Sequence, residues 1–147
     1  MSKVIGSTLE FSDERINALM LEYERYIASC DIIRMHEVFN HIVNQPCRRF
    51  WVSNIRAAVV ISDMMRGAKL RNMHSLKREM FQEIFSRVML LREKYPDMSV
   101  FQLVSKVVTQ PAPKFYLSPS SAKKMFYKAR NDWYERKFRR FHFVRLR

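Results

Sequence analysis

The residues best suited to chemistry in this chain lie between Ser118 and Trp133. At helical spacing, Ser120, Ser121, Lys123, Lys124, Tyr127, Lys128 and Asn131 share one side of a helix. Ala122, Met125, Phe126, Ala129 and Trp133 share the other. Ammonium groups attract phosphate, while amide and hydroxyl groups bond phosphate oxygens and base edges. An apolar back with a cationic, hydrogen-bonding front suits a helix that docks on nucleic acid. The same composition also describes a solvated helix face, so other features must decide.

More cations surround this face. Arg48 and Arg49 sit in one interhelical turn and Lys114 in another, where backbone phosphates are commonly met. Arg136, Lys137, Arg139, Arg140, Arg145 and Arg147 prolong the positive charge towards the C-terminus. Across the chain, 27 Lys and Arg stand against 14 acids, a net charge of +13 with pI near 10.2. Neutralising phosphates releases condensed counterions, so a polyanion is the partner such an imbalance favours.

Enzymatic chemistry finds little support. His36, His41, His74 and His142 form no zinc-type spacing with Cys30 and Cys47. There is no Gly-rich phosphate loop and no nucleophile elbow. The expectation is a non-enzyme with no catalytic residue, no metal and no cofactor. Neither a secretory leader nor an apolar run of membrane-spanning length appears, which predicts a cytoplasmic protein with reduced thiols, nucleoid-associated if prokaryotic.

The elements that must position the cationic face come from a repeat. Gln45-Pro-Cys-Arg-Arg-Phe-Trp-Val-Ser is answered by Gln110-Pro-Ala-Pro-Lys-Phe-Tyr-Leu-Ser at an ungapped offset of 65 residues. Upstream, Val38, Ile42 and Val43 fall on Leu103, Val107 and Val108 at the same offset, so a three-helix block has been duplicated. A chain of 147 residues, 48% hydrophobic with only 2 Gly, predicts an all-α fold of about six helices. Two tandem, helix-turn-helix-like units are expected to pack together: residues 12–67, and residues 75–140 with a basic C-terminal extension.

Local signals refine the helices. Ser12 or Asp13 should cap the first and Asp31 should open the second, with Met35, Val38 and Phe39 inward. The third should run from a Ser53 cap to Gly67, apolar on most sides including Val59. Ser75 should cap the fourth, which ends at Lys94, and Ser99 should start the fifth. Ser118-Pro119 should open the sixth, running to about Arg136–Arg140.

At the level of the motif, residues 35–66 and 99–131 resemble helix-turn-helix domains, with a longer turn than the simplest members have. The resemblance implies a recognition helix in each unit, docked on the helix before it. At the positions of Lys124, Tyr127, Lys128 and Asn131 the first copy has Val59, Ser62, Asp63 and Arg66, so the second unit should dominate contact. Arg56 and Arg66 would touch backbone only. The leading expectation is a regulatory or architectural protein binding double-stranded DNA. The alternatives are a helical protein-interaction module anchored by Trp51, Tyr116 or the Phe141/Phe143 tail, and an RNA or single-strand binder stacking bases on Tyr127 and Tyr134.

Overall fold

The computed structural model describes the backbone of residues 11–145, and side chains through Trp133 and at Glu135. Six helices form: α1 (Ser12–Ser29), α2 (Met35–Val43), α3 (Asn54–Met65), α4 (Ser75–Lys94), α5 (Val100–Val108) and α6 (Pro119–Arg145). Shifted by 65 residues, the bounds of α2 become those of α5, the C-terminal end of α1 becomes that of α4, and the start of α3 becomes that of α6.

Several ends follow from local chemistry. The Ser53 hydroxyl accepts from the Arg56 amide at 3.1 Å, and Ser118 accepts from Ser121, its repeat counterpart, also at 3.1 Å. Ser99 and Gln102 form a reciprocal capping box on α5. Past α3, Gly67 takes φ +100°, and the amides of Gly67 and Ala68 bond the carbonyls of Met64 and Asp63. This paired closure needs a left-handed residue, which glycine supplies without steric cost.

Other ends depart from expectation. Neither Ser12 nor Asp13 caps α1, whose N-cap is Phe11 with no side-chain bond. His74 rather than Ser75 caps α4, its Nδ1 accepting from the Leu76 amide at 3.3 Å. Helix α2 starts at Met35, not Asp31, and Ile32 is 76% exposed. Ile32 and Ile33 are β-branched and find no apolar partner, so nothing repays winding them into a turn. Met35, expected inward, is exposed, and so is Val59 beside the buried stripe of α3. Helix α6 runs beyond 140 to Arg145.

The two turns meet at the centre. Cys47 and Ala112, equivalent in the repeat, form an antiparallel bridge: the Cys47 amide bonds the Ala112 carbonyl at 3.0 Å and the reverse bond is 2.9 Å. Phe50 donates its amide to Val108, and Phe115 donates to Val43, the matching pair of bonds. Phe50 stacks on Tyr116 with centroids 6.1 Å apart, and Trp51 stacks on Phe115 at 6.4 Å. Every contact in this set maps onto another or itself under the 65-residue offset, as in a two-fold dimer joined into one chain.

The third helices cross over. Helix α3 packs on α4 and α5, while α6 packs on α1 and α2; among the described residues α2 does not pack on α3, nor α5 on α6. The spatial groups are therefore α1–α2–α6 and α3–α4–α5, which corrects the expectation of contiguous units at 12–67 and 75–140. The cause is the turn. A near-extended segment advances about 3.3 Å per residue, and pairing at Cys47 and Ala112 carries each chain across the centre before its third helix begins. One continuous core results, filled by Leu19, Val38, Phe39, Ile42, Phe50, Ile61, Phe81, Ile84, Leu103, Val107 and Phe126 among others.

Candidate nucleic-acid interface

Helix α6 is held from behind. Ala122 and Phe126 are buried, and Phe126 lies against Tyr23 of α1 (centroids 4.3 Å) and Phe39 of α2 (5.6 Å). This seat rotates the opposite side outward. Ser120, Lys123, Lys124, Lys128 and Asn131 are all exposed there. Among the described residues, none of these three lysines forms an ion pair with a carboxylate. The front of α6 thus combines three ammonium groups, an amide and a hydroxyl on a fixed helical surface.

Two neighbours have structural work instead. The Ser121 hydroxyl accepts from Ser118 at 2.9 Å, within the cap that starts the helix. Tyr127 is half-buried, its ring 6.1 Å from Phe39 and 5.6 Å, edge-on, from Phe126. Its faces are thereby engaged in packing, which leaves it poorly placed as a stacking platform for bases.

The turn cations each have a partner within the chain. Arg48 pairs with Glu14 of α1. Lys114 pairs with Glu79 of α4 at 2.5 Å and lies 5.4 Å from the Tyr116 ring centroid. Arg49 lies over the Phe11 ring at 4.1 Å and donates to the carbonyls of Phe50 and Val52. Glu14 and Glu79 are themselves repeat counterparts, so both pairs brace turns against the first helix of a block. Arg66 is exposed beside Asp63, 3.8 Å away. The side chains of Tyr134, Arg136, Lys137, Arg139, Arg140, Phe141, Phe143, Arg145 and Arg147 lie outside the described residues. Trp51 and Tyr116 are buried, which removes them as surface anchors.

The central bridge is electrostatically quiet. The Cys47 thiol donates towards the carbonyls of Arg49 and Lys114, again a repeat pair, at 3.3 and 3.4 Å. Burial pushes its pKa up to about 11, against a smaller opposing influence from the nearby Trp51 indole and the Arg49 backbone. Burial likewise pushes Tyr116 up to about 12, reinforced by Glu83 and Glu79. Both stay neutral and protonated at physiological pH.

Sequence reading overlooks one concentration of cations. Arg15 of α1, Arg56 of α3 and Lys77 of α4 line a single cavity beside Trp51 and Phe115. They are far apart in the chain, so no local pattern connects them; only the crossover brings α1, α3 and α4 around one space. Among the described residues no cluster of His, Cys, Asp and Glu is arranged to hold a metal ion, and no helix is long and apolar enough to cross a membrane.

Comparison with protein-family models, curated proteins and solved structures finds no match for this chain. Its function must be argued from its own surface.

Proposed function

We propose that the protein binds double-stranded DNA, in a regulatory or architectural role and without catalysis, through the outward side of α6. One observation carries this reading: Lys123, Lys124 and Lys128 are exposed together on a rigidly seated helix, with no acidic partner among the described residues. Charges placed this way cost nothing to desolvate from a neighbour and are available to phosphate. The excess of 27 basic over 14 acidic residues supplies the long-range attraction. Asn131 and Ser120 add donors and acceptors of the kind that read base edges.

The arrangement differs from a simple helix-turn-helix, because the supports of α6 are α1 and α2 rather than α5. A recognition helix needs a firm back, and the Tyr23–Phe126–Phe39 cluster supplies one from another part of the chain. The second block contributes the reading helix while the first contributes its seat.

Mobility shifts on random duplex DNA, single-stranded DNA and RNA at two salt concentrations test this. Duplex binding should fall steeply with salt, and Lys124→Ala with Lys128→Ala should lower the log–log salt slope by about two. Duplex affinity indifferent to both salt and these lysines defeats the proposal. Stronger binding to single strands or RNA than to duplex would transfer the same surface to those partners.

A further inference from the structure

Where the two blocks meet, a cavity of about 260 Å³ is walled by Arg15, Arg56 and Lys77, with Trp51, Phe115 and Tyr116 as its aromatic side and no acidic residue in its lining. At ~30 Å³ per water it has room for several waters, or for a tetrahedral oxyanion with part of an attached group.

Arg15 is the unusual member. Its Nε is buried without a hydrogen-bond acceptor. Among the described residues Arg15 forms no ion pair, although Asp13 and Asp132 line the neighbouring α1–α6 groove with it. Glu14, its neighbour in sequence, pairs with Arg48 instead. Burial alone lowers the pKa of the Arg15 guanidinium, with no compensating anion. A charge desolvated in this way destabilises the fold unless a counter-charge reaches it.

The repeat makes the point independently. The lining includes three pairs of equivalent positions: Arg15 with Met80, Trp51 with Tyr116, and Val52 with Leu117. The cavity therefore straddles the axis relating the blocks. The counterparts of Arg15, Arg56 and Lys77 are Met80, Ser121 and Ser12, all neutral. Holding the frame together does not require these charges, since the matching places manage without them. Tyr116 also holds φ +55°, a conformation rare for a bulky residue and kept only where the surroundings impose it.

We propose that this cavity binds a phosphate group, as inorganic phosphate or a small phosphate monoester, with the half-buried Arg15 as its charge partner and Arg56 and Lys77 engaging it from α3 and α4. The site is separate from the α6 surface and stands whether or not that surface binds DNA. A guanidinium offers two parallel donors to a phosphate, and the three cations together exceed the charge of a dianion.

The chain has 2 tryptophans, so Trp133→Phe leaves Trp51, in the cavity wall, as the reporter. Titrating this variant with inorganic phosphate at constant ionic strength should give a saturable fluorescence change that chloride does not reproduce. Adding Arg15→Met, which copies Met80, or Lys77→Ser, which copies Ser12, should weaken phosphate by about tenfold or more. Adenosine monophosphate binding well above inorganic phosphate would assign the group to an ester; equal affinities would assign it to the free anion. Lys124→Ala with Lys128→Ala should leave the titration unchanged. A response shared with chloride, or one that survives Lys77→Ser and Arg15→Met, or one lost with the α6 lysines, overturns the proposal. Should Arg15→Met fail to fold, the exposed Lys77→Ser decides alone.

Discussion

Helices α3 and α6 hold matching places in the repeat and are alike inside and unlike outside. Their caps, Ser53 and Ser118, correspond, and so do their buried alanines, Ala57 and Ala122. Inward, Ile61 is matched by Phe126, both buried. Outward, α3 shows Ile55 at 48% and Val59 at 51% exposure, where α6 has Ser120 and Lys124. Ala58 faces Lys123 in the alignment, and Asp63 faces Lys128. Length differs too: Gly67 closes α3, whereas the equivalent Asp132 allows α6 to continue to Arg145. The crossover dictates the inner face of both helices, because each must fill a groove on the opposite block. The outer face answers to no packing partner and is free to acquire charge.

The largest test of this comparison is to separate the blocks. A fragment of residues 1–67 keeps α1, α2 and α3 but removes α4 and α5, the surfaces on which α3 packs. It should not fold as a monomer. The symmetry of the central contacts predicts that it gains helix only by pairing with a second copy, so its circular dichroism should depend on concentration and follow a monomer–dimer sedimentation equilibrium. A monomeric fragment that melts cooperatively would show the third helix can return to its own block.

Next come the equivalent rings Phe50 and Phe115, each buried at the crossing. Phe50→Ala and Phe115→Ala should each cost about 3–5 kcal/mol in urea unfolding, in a single transition. Arg87 sharpens the contrast, since its guanidinium lies 4.9 Å over Phe50 and bonds the Pro111 carbonyl at 2.8 Å, whereas the residue matching Arg87 is Glu22. The Phe50 loss should therefore be the larger. Two separate transitions would mean that the blocks unfold independently.

The repeat and most helix ends were legible because they depend on residues near one another in sequence. Gln-Pro with Phe-aromatic at one spacing marks a turn, and Ser53, Ser99 and Ser118 cap the amides beside them. The exchange of third helices was not legible. Ala57, Val60 and Ile61 form the same apolar stripe whether they cover α2 or α5, so periodicity names the buried side and not the partner. For the same reason the lysines of α6 could be placed on its front, while the partners of Arg48, Arg49 and Lys114 within the chain could not be read from the sequence. Glu14 and Glu79 sit in the first helix of the same block and Phe11 just before one, an approach that tertiary packing sets. Arg15, Arg56 and Lys77 converge for the same hidden reason.

Cys47 and Ala112 offer a gentler contrast at the bridge itself. A thiol raised from 9.0 to about 11 is favoured in its neutral form by folding. Its contribution to stability is full below pH 9 and is lost as pH rises through 11, roughly 2–3 kcal/mol at most. Cys47→Ala, which copies Ala112, should remove that part of the alkaline decline and leave the part due to Tyr116. Unfolding free energies measured from pH 8 to 11 should diverge between parent and variant; parallel curves would mean the thiol is accessible to water.

The smallest effect belongs to the outer face. If Val59 is exposed because nothing in the chain packs on it, Val59→Lys, the residue of α6 at that place, should change stability by no more than about 0.5 kcal/mol. Lysine has a slightly better helix propensity than valine, which favours a small gain. The substitution also moves α3 towards α6 in charge without touching the inner stripe, so thermal melting and helix content should match the parent. A loss above ~1 kcal/mol would mean that Val59 is covered after all, and the claim that only the inner faces are constrained would fail at the residue chosen to illustrate it.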